Sequence, residues 1–148
     1  MVAAACAVTI SIDPSTTYQT IVGFGGSVGG TPSNVTGTLM NDGAVSVVRV
    51  DWCEETGHDF SGTKPCYDAA NEKPVVVGSC WSPPAHMKDN GSVSNGGHLK
   101  ESMYDEFADY AVQKLQAFKE MYGVEMYALS PQNEPQFAVF YASCVYEG

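Results

Sequence analysis

Residues 8–12 alternate apolar and polar, with Val8, Ile10 and Ile12 on one face, and the run stops at Asp13-Pro14. A period of two ended by a turn signal predicts a short, half-buried strand. A second β-rich run covers 18–24 and is broken by Gly25-Gly26. Residues 45–50 read Val-Ser-Val-Val-Arg-Val, nearly continuous in β-branched side chains. That is the pattern of a strand covered on both faces, as in parallel sheets. Pro74 then opens a fourth strand of the same kind, Val-Val-Val-Gly at 75–78.

The clearest helix spans 103–122. Tyr104, Phe107, Ala108, Ala111, Leu115, Phe118 and Tyr122 recur at spacings of three and four and form one apolar stripe. Ser102 with Asp105 has the form of a capping box, and Gly123 stands where a left-handed stop belongs. A further strand at 125–129 follows at once. Strand, amphipathic helix and strand make a βαβ unit, which implies parallel pairing. The earlier helices are weaker. Residues 31–44 include Pro32, Gly37 and Gly43, and 53–73 show no helical stripe. The expectation is an α/β layer with some helices shortened or absent, and no linker or repeat divides the chain.

The chain has 148 residues, enough for one ordinary domain. Its charged fraction of 16% beside a hydrophobic fraction of 44% is that of a folded globular protein. Seven Lys+Arg against 17 Asp+Glu give a net charge of −10. A scattered minority of basic residues speaks against nucleic acid or an anionic membrane as partner, and leaves neutral polysaccharides open. Five cysteines form no CxxC pair and no zinc spacing, so an oxidising compartment is the simplest account. The sequons at Asn34 and Asn90 lean the same way. No apolar run of about 18 residues could span a membrane. Residues 1–10 are small and apolar but lack a basic start, so a signal has been removed or the true N-terminus lies upstream.

The stretch richest in chemistry is Tyr127-Ala128-Leu129-Ser130-Pro131-Gln132-Asn133-Glu134-Pro135. A strand ends and an Asn-Glu pair is presented at its carboxyl end between two prolines. In parallel α/β architectures active-site residues gather at that edge. A glutamate held there in a low-dielectric pocket gains a raised pKa and can donate a proton near neutral pH. Asn133 can hydrogen-bond a substrate hydroxyl. Trp81, in Cys80-Trp81-Ser82-Pro83-Pro84-Ala85-His86-Met87-Lys88, follows the fourth strand and is either a platform for a sugar's apolar face or a core residue. Arg49 is the charge inside a valine strand, partnered by a carboxylate in a site or by a structural salt bridge.

Other chemistries are not supported. The glycine run 23–30 has Val28 where a dinucleotide loop needs its last glycine, and no convincing helix follows. His58, His86 and His98 have no ligand spacing. No nucleophile elbow is present. Neither a metal nor a cofactor is called for.

In order along the chain, Tyr18-Gln19-Thr20-Ile21-Val22-Gly23-Phe24-Gly25-Gly26-Ser27, Val48-Arg49-Val50, Trp81-Ser82-Pro83-Pro84-Ala85 with Met87-Lys88, Asn90-Gly91 and Pro131-Gln132-Asn133-Glu134-Pro135 resemble glycoside hydrolase family 30. That group includes glucosylceramidases, endo-β-1,6-glucanases and endo-xylanases. The resemblance implies a partial (β/α)8 TIM barrel of about the first four strands. Residues 1–17 would be an N-terminal segment with a strand of a β side domain, and 18–148 the N-terminal half of the catalytic barrel, truncated. It implies Glu134 as general acid/base, Asn133 holding the sugar 2-hydroxyl, Arg49 near the nucleophile and Trp81 lining the pocket. Asp59, in an Asp-Phe-Ser like that of the glucosylceramidase branch, is a further sugar-binding candidate.

Three departures stand out. His86 replaces a tryptophan usual in the family, which points to a reshaped sugar pocket. The segments before 45 and before 75 are short. The family nucleophile is a glutamate on the seventh strand, whereas this chain supplies four; Asp51, Glu54 and Glu55 lie near a strand end, and nothing marks them as substitutes. The implied protein is a retaining β-glycosidase fragment acting on β-glucosides, β-glucan, xylan or a glucosylceramide-type glycoside. It would be secreted, lysosomal or vacuolar, and inactive and self-associating by itself. The alternatives are a non-catalytic carbohydrate-binding protein and a structural domain without a sugar site.

Overall fold

A computed structural model describes residues 9–43, 45–53 and 60–146. Four strands, β1 (Gly25–Gly26), β2 (Val47–Asp51), β3 (Val75–Ser79) and β4 (Met126–Ser130), alternate with three helices, α1 (Ser33–Asn41), α2 (Lys64–Ala69) and α3 (Tyr104–Tyr122). The sheet order is β1-β2-β3-β4 and every neighbouring pair is parallel. A doubly wound sheet reverses its strand order at a switch point, whereas a barrel does not. The unbroken order therefore has the form of consecutive β/α units of a barrel, as the motifs implied.

The helices cover one face of the sheet. Val48, Val50 and Val76 are buried with Met40 of α1, Cys66 of α2 and Phe118 of α3. Phe60 sits among them at 1% exposure, with its ring edge-on to Tyr67, Phe118 and Tyr122 at 5.0–5.5 Å. The alternate residues Val47, Arg49, Val75 and Val77 are only half-buried. This corrects the expectation of strands buried on both faces: only one face is under helices. β4 is the outermost strand, and for the same reason Tyr127 and Leu129 are exposed rather than buried.

Two N-terminal expectations fail. Of the expected strand 8–12, Val8 lies outside the described residues and 9–12 form no strand; Ile10 and Ile12 are exposed, because no described strand lies alongside to complete a ladder. The turn at Asp13-Pro14 is present, with the Asp13 carboxylate accepting from Ser15 and Thr16. The second strand is not at 18–24 but at Gly25–Gly26, the pair expected to break it. A Cβ at Gly25 would lie 1.7 Å from the Val47 carbonyl oxygen, so only glycine lets β1 approach β2 this closely.

The long helix is found at its expected place and ends at Gly123 with φ +68°. Its start differs. A 3-10 turn over Glu101–Met103 leads into α3, and no side chain caps it, so the Ser102/Asp105 box does not form. The weak helices α1 and α2 have nine and six residues, short as the glycines and prolines implied. No helix among the described residues is long and apolar enough to cross a membrane.

Candidate active site

The carboxyl ends of β2, β3 and β4 bring three of the sequence candidates together. Arg49 points to the half-buried face of β2. Its guanidinium donates to Ser79 Oγ at 3.0 Å and to Asn133 Oδ1 at 2.6 Å, and lies over the Trp81 ring at 4.3 Å. Among the described residues its partners are thus neutral groups and an aromatic face, not the carboxylate of a salt bridge. A guanidinium is suited to this because it is flat, weakly hydrated and rich in donors. Trp81 is not a core residue: it is half-buried and lines the cavity, whereas Trp52, at 2% exposure, is the core tryptophan.

That cavity, of about 520 Å³, opens at the same edge and is lined by Ser27, Arg49, Asp51, Ser61, Thr63 and Trp81 among others. Asp51 is 3% exposed and its Oδ1 accepts the Cys53 amide at 2.8 Å. Asn133 and Glu134 stand beside the cavity rather than in its wall. Asp59, Glu54, Glu55 and His58 lie outside the described residues.

The loop after β4 is pinned along its length. The Asn133 amide donates to the Cys80 carbonyl at 2.7 Å, and Gln132 Nε2 donates to the Trp81 carbonyl at 2.9 Å. The Phe137 amide donates to the Glu134 carbonyl at 2.9 Å and the Tyr146 amide to that of Pro135 at 2.7 Å. Between these anchors Glu134 has φ +47°, one of two described non-glycine residues with positive φ. This conformation is costly for a residue with a Cβ, and a following proline narrows the choice further. Backbone strain over-determined by its surroundings is characteristic of functional sites.

The expectation of a low-dielectric pocket around Glu134 is not met. Its side chain is exposed, because the helices cover the other face of the sheet and the cavity lies on the Trp81 side. Asn133 Nδ2 is 3.5 Å from Glu134 Oε2, a long contact.

Sequence reasoning missed several supports. Ser79 and Gln132 carry no signal beyond their place beside motif residues. Lys88 is fully buried, with Nζ donating to Ser82 Oγ at 3.1 Å and to the Ser143 carbonyl at 2.6 Å. Burial pushes its pKa down. It ties the turn after Trp81 to the segment beyond Glu134. His86, expected to reshape the pocket, instead faces α3, where Nε2 meets Glu106 Oε1 at 3.1 Å. His98 pairs with Asp89. No group of three or more potential metal ligands occurs among the described residues. A disulfide joins Cys53 to Cys80, and Cys66 and Cys144 are free and buried.

No family model matches the chain. It is 27% identical over 140 residues to the glucuronoxylanase XynC of Bacillus subtilis (strain 168), covering 87% of this chain and 33% of that protein. It superposes on a glycoside hydrolase family 30 subfamily 8 xylanase from Clostridium acetobutylicum with a TM-score of 0.70 at 28% identity, over 90% of this chain and 37% of that one. An endo-β-1,6-glucanase gives 0.74 at 25% identity, over 91% and 39%. The chain spans about one third of the length of the curated relatives it matches. In sequence and in fold, then, it resembles part of the glycoside hydrolase family 30 enzymes, as the order of its motifs implied.

Proposed function

We propose that this chain is the acid/base half of a retaining β-glycosidase acting on a β-linked glucan, xylan or glucoside. The observation that carries the reading is the Arg49–Asn133 contact beside Glu134 and Trp81. It gathers a donor amide, a carboxyl group and an aromatic face where three parallel strands end. In the double displacement, Glu134 gives its proton to the leaving glycosidic oxygen while a second carboxylate, about 5 Å away, attacks the anomeric carbon. Glu134 then takes a proton from water, whose oxygen displaces that carboxylate and releases the sugar. Asn133 holds the 2-hydroxyl and Trp81 packs on the ring. The partner carboxylate belongs to the rest of the barrel, outside this chain. The division into residues 1–17 and 18–148 belongs to the same reading. An oxidising compartment, extracellular or lysosomal, fits the Cys53–Cys80 disulfide.

The purified 148 residues are expected to turn over neither xylan nor aryl β-glucosides. Ordinary turnover, abolished by Glu134→Gln, would overturn the assignment of half a catalytic pair. A second reading, a carbohydrate-binding protein without hydrolysis, is favoured by the exposure of Glu134. Its mark is oligosaccharide binding unchanged by Glu134→Gln.

A further inference from the structure

We infer that the Cys53–Cys80 disulfide is the positioning element of this site: it sets where Asn133 and Trp81 stand, so the grip on sugar follows the state of that one bond. The sugar-binding half of this inference rests on the function proposed above.

The bond lies just past the end of the sheet. The β2–β3 ladder closes at Asp51↔Ser79, and the two cysteines follow one and two residues later with Cα atoms 5.3 Å apart. Both have no exposed surface. Strand ends open at low free energy unless something holds them. Here the cross-link takes over where the ladder stops.

What hangs on the two cysteines is the site itself. The Cys80 amide donates to the Ser130 carbonyl at 3.2 Å and the Cys80 carbonyl accepts the Asn133 amide at 2.7 Å. Cys80 therefore holds both ends of the segment that delivers Asn133. Trp81 is the next residue, and its carbonyl accepts from Gln132. On the other side, the Cys53 amide is bound by Asp51 of the cavity wall, and the Cys53 carbonyl accepts the Tyr110 hydroxyl of α3 at 2.8 Å. The disulfide thus joins a wall braced by α3 to the strand end that places Asn133 and Trp81. Neither cysteine touches the reacting atoms; they act through other residues.

With both cysteines buried, the bond is opened by a water-soluble phosphine in denaturant, which is then removed to refold the reduced chain. Phosphorus takes the oxygen of a water molecule and becomes the phosphine oxide, and that water's two protons complete the two thiols. Amide exchange followed by NMR on the oxidised chain, the reduced chain and Cys53→Ala/Cys80→Ala then reads the effect. Exchange at Asn133 is expected to accelerate at least about tenfold on loss of the bond while the buried mid-strand amides of Val48 and Val76 keep their rates. Unchanged protection at Asn133, or an equal loss at all three amides, would overturn the inference, the latter because the bond would then only stabilise the whole fold.

Calorimetric titration with xylohexaose and with a β-1,6-linked glucose oligomer supplies the second reading. Affinity is expected to fall about tenfold on reduction, the loss of roughly one well-placed hydrogen bond to sugar. An oxidised chain that binds neither oligomer would refute the proposed function while the exchange rates still decide the positioning role. Affinity present and unmoved by reduction would refute the coupling alone.

Discussion

The Arg49 guanidinium on β2 reaches across β3 to donate to Asn133 Oδ1 at 2.6 Å, joining residues 84 positions apart. With its oxygen taken, the Asn133 amide turns Nδ2 toward Glu134 Oε2. An asparagine that could have presented either end is thereby made a donor, the role a sugar hydroxyl oxygen requires.

Arg49→Lys tests that relationship. Lysine keeps the charge but not the flat fork that bonds Ser79 and Asn133 while stacking on Trp81. Oligosaccharide affinity measured by calorimetry is expected to drop by about 1 kcal/mol, the hydrogen bond to sugar that a displaced Asn133 no longer makes. Equal affinity in the lysine protein would show that Asn133 needs no such partner.

Glu134→Gly separates stability from chemistry. Left-handed backbone costs a residue with a Cβ about 1–2 kcal/mol, and glycine returns part of that gain through its freer unfolded chain. With φ at +47°, the variant should unfold at slightly higher denaturant, a net gain of up to about 1 kcal/mol, while any acid/base function is lost. A clear destabilisation would mean that the Glu134 side chain holds the loop.

β4 offers an open strand edge with Tyr127 and Leu129 exposed beside it. Such an edge pairs readily with another chain. The isolated 148 residues are expected to sediment as dimers or larger species, and Leu129→Lys should shift them toward monomer. A wild-type chain that sediments as a monomer and melts in one sharp transition would count against this.

Asp89 accepts first the His98 backbone amide and then its ring, and these bonds hold its carboxyl below the ordinary value of 3.8. A carboxylate whose pKa falls on folding stabilises above its unfolded pKa, and that contribution disappears as pH drops through the folded value. The melting difference between wild type and Asp89→Ala should shrink as pH falls below 3.8. A difference that persists undiminished at pH 2 would assign it to something other than this carboxylate.

Much of this architecture can be read from local pattern. Phe107, Phe118 and Tyr122 of the predicted stripe pack inward, while Tyr104 and Ala108 of the same stripe are exposed, and the valine runs of β2 and β3 form strands, so helix and strands follow from their periods. The N-terminal runs mislead because a strand exists only with a partner: 9–13 has none among the described residues, and β1 settles on the two glycines that can approach Val47. The capping box at Ser102 yields to a 3-10 turn for a comparable reason, since several starts satisfy the same amides.

The sequence by itself determined which chemistry is on offer: a carboxyl group, an amide, a guanidinium and an indole at strand ends. Those identities and their nearness to turn residues are local facts. Only the tertiary structure decided that Arg49 meets Asn133, that Trp81 and not Trp52 faces the cavity, that Cys53 pairs with Cys80, and that Glu134 stands exposed. The contacts among these are distances between residues far apart in the chain, set by the parallel register of β2, β3 and β4, and the exposure of Glu134 depends on which face the helices cover; no window of sequence contains either.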